Sequence, residues 1–134
     1  MNRRAWMILW LLVACDSATA PVGDLAFELR SNNAGLPEIT IGASRVEYRS
    51  TLLTPCAPYD ASARLESRGN ATIEIQVIGR ATSDCPQDII DELPYVASVT
   101  SLRPASYTLR VIHSWADANW SPDTVFVGTV NVSQ

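Results

Sequence analysis

Few residues in this chain of 134 have side chains suited to chemistry: one histidine, His113, and three cysteines, Cys15, Cys56 and Cys85. His113 with Asp117 and a neighbouring serine is the nearest approach to a general-base arrangement. No Gly-x-Ser-x-Gly or similar nucleophile context accompanies it, and a lone histidine at the rim of a core is usually structural. No catalytic residue is therefore assigned. Asp84, Asp88, Asp91 and Glu92 place four acids within nine residues. A calcium loop needs oxygen ligands at ordered spacing, and Asp-x-Asp-x-Asp-Gly is absent. The four acids read as a solvated loop, and neither a metal site nor a cofactor is assigned. Ser114 to Asp123 holds Trp115, Asp117 and Trp120 close together. Tryptophan is enriched at binding hot spots, and loops on a rigid scaffold are where binding usually resides. Trp115, Asp117 and Trp120 are the candidate binding residues.

Composition bounds the elements that must position these groups. The length suits one domain with a real core. At 47% hydrophobic and 18% charged, the chain lacks the signature of disorder. A net charge of −4 and a pI near 4.8 argue against a nucleic-acid partner. All ten basic residues are arginine. No internal repeat or low-complexity block is present.

Residues 1–14 read as an export signal. Arg3 and Arg4 precede an uncharged apolar run from Ala5 to Ala14. As a helix that run would span roughly 15 Å, about half a bilayer core, so it is too short to cross. Leu12-Val13-Ala14-Cys15 resembles the lipobox of bacterial lipoproteins. The resemblance covers residues 1–15 and implies that Cys15 becomes a diacylglyceryl-modified N-terminus after cleavage. Two or more acyl chains hold a protein firmly on a membrane, at about 0.8 kcal/mol per buried CH₂. The alternative is an ordinary secretory signal cut after Ala18-Thr19-Ala20. In that case the sequons at Asn70, Asn119 and Asn131 would matter; in a bacterial lipoprotein they are chance matches. Losing residues 1–14 removes two arginines and no acid, leaving eight arginines against fourteen acids. Such a domain avoids anionic headgroups, so its membrane contact is the lipid itself.

Residues 15–24 form a small, polar tether, and residues 25–134 form the domain. From Leu25 the apolar period is two. Leu25/Phe27/Leu29, Ile39/Ile41, Val46/Tyr48/Leu52, Ala61/Ala63/Leu65 and Ile73/Ile75/Val77 alternate with polar residues, as in strands with one buried face. Ser67-Arg68-Gly69-Asn70 supplies a turn, so 61–67 and 71–79 form a hairpin. Further strands fall at 94–102, 106–114 and 124–132, and residues 84–93 read as a loop with room for one helical turn. Seven to eight strands in about 110 residues give an all-β fold, an antiparallel β-sandwich. Leu102-Arg-Pro-Ala-Ser-Tyr107-Thr-Leu109-Arg-Val111 resembles the run that begins a late strand in fibronectin type III and related immunoglobulin-like domains. The resemblance implies an immunoglobulin-like sandwich with Tyr107 as its tyrosine corner, its hydroxyl bonded back to the corner backbone. Tyr107, Leu109, Val111, His113 and Trp115 then share one inward register. Trp115 would cap the core and Trp120 would be the more exposed of the two tryptophans.

With Cys15 lipidated, Cys56 and Cys85 remain. An even pair in an exported domain implies a disulfide tying two strand ends. The 29-residue step between them is not Cys-x-x-Cys and no Cys/His cluster surrounds it, so redox and metal readings are poor. The expected function is a lipid-anchored, non-catalytic binding or structural module at the cell envelope, on its periplasmic or surface face. Its expected partners are the membrane, through Cys15, and an envelope protein, with no nucleic acid or small-molecule substrate. The alternative is an inhibitor or accessory subunit of an envelope enzyme, acting through a loop.

Overall fold

The computed structural model describes residues 23–31, 37–66, 71–84 and 89–134. Eight strands follow in chain order: β1 (Asp24–Leu29), β2 (Glu38–Gly42), β3 (Arg45–Thr54), β4 (Tyr59–Glu66), β5 (Thr72–Ala81), β6 (Asp91–Thr100), β7 (Ala105–Trp115) and β8 (Asp123–Val132). They form two four-stranded sheets, β1-β6-β3-β2 and β4-β5-β7-β8, packed as a sandwich.

Alternation drives this arrangement. Val46, Tyr48 and Leu52 of β3 and Tyr95, Ala97 and Val99 of β6 line the inner face of the first sheet. Ile73, Ile75 and Val77 of β5 and Tyr107, Leu109 and Val111 of β7 line the inner face of the second. Each fully buried Leu or Ile among them contributes roughly 1.5–3 kcal/mol of transfer free energy. The edge strand β2 is thinner cover, so Ile41 stays largely exposed although it shares the inward register of Ile39.

Several strand ends shift by one to three residues from the sequence reading, and two of the shifts have a clear cause. Strand β1 begins at Asp24, which pairs with Thr100 and whose carboxylate accepts the Ser101 hydroxyl at 2.9 Å. Asp91, Glu92 and Leu93 belong to β6 rather than to a loop over 84–93, because they pair with Thr54, Leu53 and Leu52 of β3. The partner strand, not local alternation, recruits them. The expected turn at 67–70 and helical turn within 85–88 lie outside the described residues.

Five of the six strand pairings are antiparallel. The sixth, β5–β7, is parallel, a departure from the wholly antiparallel expectation. Parallel neighbours need a crossover, and here the crossover is β6, which runs through the opposite sheet between them. Constant-type immunoglobulin domains follow strand orders 1-2-5-4 and 3-6-7. The likeness to them is therefore one of architecture rather than strand order. The corner itself is formed: Tyr107 is buried, and its hydroxyl donates to the Arg103 carbonyl at 2.9 Å.

The two ends of the sandwich differ. At the entry end, Gly23 leads into β1 with φ of 85°, and a Cβ there would lie 2.5 Å from the Thr100 carbonyl oxygen, so only glycine fits. Ser44 and Ser133 join the two sheets at this end through Ser44 N to Ser133 O at 3.0 Å. The opposite end holds the close of β3, β5 and β7 and the start of β4, β6 and β8. A ten-residue strand rises roughly 33 Å, so about 30 Å separates the ends.

Candidate functional site

The far end is organised around residues 115–120. Trp115 ends β7 half-buried, and its indole N–H donates to the Leu53 carbonyl at 2.8 Å. Ala116 N donates to Gly79 O at 2.9 Å. Gly79 lets this contact close, since a Cβ there would meet Leu52 at 3.0 Å and Trp115 at 3.2 Å. Trp115 then presents its ring to Trp120, edge to face, with centroids 5.1 Å apart. Trp120 remains 38% exposed.

Asp117 does not offer a free carboxylate. Its Oδ1 accepts the Tyr59 hydroxyl at 3.0 Å and its Oδ2 accepts Ala81 N at 2.9 Å. One side chain thus ties the loop to the start of β4 and the end of β5. Burial, reinforced by the bond to the Asp117 carboxylate, pushes the Tyr59 hydroxyl up to about 12. Of the three candidate residues, Asp117 organises the loop, Trp115 supports it, and Trp120 is presented by it.

The neighbouring segment 55–58 is held equally well. The Thr54 hydroxyl donates to Cys56 O at 2.9 Å, and Thr82 N donates to Pro58 O at 3.1 Å. Cys56 is buried and disulfide-bonded. Cys85, Cys15 and the apolar run before it lie outside the described residues.

His113 is buried, with 4% of its surface exposed. Its Nε2 lies 2.7 Å from the Tyr95 hydroxyl, with the two rings edge to face at 5.6 Å. Burial lowers its pKa to about 4, against a smaller opposing pull from the Asp123 carboxylate. Burial also pushes the Tyr95 hydroxyl upward. Both oxygens of Asp117 are turned to Tyr59 and Ala81, so the structure does not assemble His113 with Asp117. The sequence pointed to the register of His113 but not to Tyr95, which lies on the opposite sheet.

Two polar clusters escaped the sequence reading; each joins neighbours two apart on one strand to residues of the strand beside it. On the outer face of the first sheet, Arg49 Nε donates to Glu47 Oε1 at 2.7 Å, while Arg45 and Ser98 bond the other oxygen. The Arg49 hydrogen bond leads in holding the Glu47 carboxyl below its usual range. Arg45, Glu47 and Ser98 border a shallow concavity of about 440 Å³ with Arg30 and Val96. On the outer face of the second sheet, the Gln76 amide bridges Glu66 and Glu74 at 3.0 Å each, while Arg64 Nε donates to the Gln76 carbonyl oxygen at 2.8 Å. Both clusters neutralise carboxylates on a sheet surface, and neither aims a free group at a cavity. Among the described residues, no three His, Cys, Asp or Glu side chains are grouped to hold a metal ion; Asp88 of the acidic stretch is not among them.

No family model, curated protein or solved structure matches this chain.

Proposed function

We propose that this protein is a lipid-anchored cell-envelope module that acts by presenting the Trp120 loop, without catalysis. The observation that carries the reading is polarity along the sandwich. The chain enters β1 at Asp24, while Trp120 sits at the opposite end, about 30 Å away. With Cys15 acylated and residues 16–23 as tether, the entry end faces the membrane and the loop faces away from it. The tether reaches roughly 15–18 Å, which keeps the domain near the surface. The pinning of the loop at Asp117 and Trp115 also favours the second reading, an inhibitor or accessory subunit, because a loop inserted into a cleft must be held in shape beforehand.

We further infer that Cys56 pairs with Cys85. The Thr82–Pro58 hydrogen bond brings the chain three residues before Cys85 beside the chain two residues after Cys56. Cys15 is eight residues before Gly23, which lies at the entry end, opposite Cys56.

Replacing the anchor residue tests the reading. In cells that process lipoproteins, the wild-type chain should fractionate with membranes and resist salt extraction. Cys15→Ser should move the great majority of it to the soluble fraction. A variant that stays membrane-bound would contradict acylation at Cys15.

A further inference from the structure

The far end of the sandwich exposes more apolar surface than Trp120 alone. Leu53 is 46% exposed, and its carbonyl accepts the Trp115 indole that also packs on Trp120. Ile89 and Ile90, 52% and 65% exposed, immediately precede Asp91, which pairs with Thr54 next to Leu53. Leu53, Ile89, Ile90 and Trp120 thus lie at one end of the domain, while Ile41 and Val127 are exposed singly elsewhere. A patch of this kind rimmed by polar residues marks an interaction site. The rim has one dominant sign. Asp60, Asp84, Asp91, Glu92 and Asp123 lie at or next to strand ends here, against Arg30 and Arg80 among the described residues. The support beneath is rigid, since Trp115 and Asp117 are both pinned by hydrogen bonds.

We propose that this end is a docking surface for a protein segment that carries large apolar side chains flanked by arginine or lysine. The apolar residues would seat on Leu53, Ile89, Ile90 and Trp120, and the basic residues would meet the carboxylate rim. Charge decides the class of partner. A carboxylate rim repels anionic headgroups and a second copy of itself, and attracts a cationic segment. A pinned loop loses little freedom on binding, which favours a small surface of this size. The inference rests on the envelope reading above, which points this end away from the membrane.

The test uses the full chain in native host membranes, with a photo-crosslinking amino acid at Ser121, beside the patch, or at Thr129 on the outer face of β8 as control. The expected result is crosslinking from Ser121 and not from Thr129, to a protein segment with net positive charge. Trp120→Ala should cut that yield about tenfold or more, as removal of a hot-spot aromatic does. Ile90→Asp serves as a second variant, and thermal melting verifies that each remains folded. Crosslinks to lipid, to a second copy or to a neutral or acidic segment would overturn the proposal. Equal yields from Ser121 and Thr129, no Ser121 crosslink, or a yield unchanged in both folded variants would also overturn it. A membrane-bound chain without the Ser121 crosslink overturns this surface alone. A chain that is not membrane-bound but still crosslinks to a basic segment overturns the anchor alone.

Discussion

Acidification from pH 7 to pH 4 is expected to cost this domain about 3 kcal/mol through His113 alone. The histidine sits in the core against Tyr95, and burial lowers its pKa from the ordinary 6.5 to about 4. The folded state therefore resists protonation more than the unfolded state does. Stability is full above the unfolded value of about 6.5, falls as the pH drops, and stops falling through this group below about 4. Within that window the slope approaches 1.4 kcal/mol for each pH unit. Glu47, held below the usual carboxylate range by Arg49, adds its own loss at the acid end, below about pH 4.5. Denaturant unfolding at pH 7, 5.5 and 4.5 measures the slope. His113→Gln keeps a hydrogen-bonding group near Tyr95 but cannot titrate, so the slope between pH 6.5 and 4.5 should flatten. An identical slope in the variant would remove His113 as the cause.

Loss of the Cys56 disulfide is expected to have an effect of similar size at neutral pH. If Cys85 is the partner, the bond closes a loop of about 30 residues, for which the chain-entropy relation gives roughly 3–4 kcal/mol. Against a typical margin of 5–15 kcal/mol this is a large share. The bond would join the end of β3 to the segment before β6, two strands that pair in one sheet but lie far apart in sequence. Cys56→Ala and Cys85→Ala should each lower the unfolding free energy by this amount, and the double variant should lose little more, because both remove one bond. Reductant should lower the wild type to the same level. Additive losses in the double variant, or a wild type indifferent to reductant, would contradict the pairing.

Much of the fold was legible because one chemical rule governs it. Val46, Tyr48, Ile73, Ile75, Tyr107 and Leu109 alternate with polar residues, and a half-buried strand requires that pattern. The Trp115 and Trp120 assignments followed from the same register: Trp115 packs into the far end while Trp120 remains exposed. The pattern is silent about which strands become neighbours. Nothing local marks β5 and β7 as a parallel pair, because β6 intervenes in sequence and lies in the other sheet. The start of β6 was hidden for the same reason: Asp91 and Glu92 look like loop residues until the end of β3 pairs with them. Glu47 and Glu74 alternate as solvent-facing residues should, yet both are buried, engaged by Arg49 and Gln76 of their own strands and by Ser98 and Arg110 of adjacent ones. At the candidate site, spacing suggested that Trp115, Asp117 and Trp120 act together. It could not show that the Asp117 carboxylate would be engaged by Tyr59 and Ala81, which arrive from another hairpin.

The most direct test of the account is the intact mass of the protein from a bacterial membrane fraction, before and after reduction. The account predicts a chain that begins at Cys15, carries added diacylglyceryl mass, and gains two hydrogens on reduction. A chain cut after Ala20 without lipid would contradict the anchor and make this a free secreted domain. A mass unchanged by reduction would contradict the Cys56–Cys85 bond.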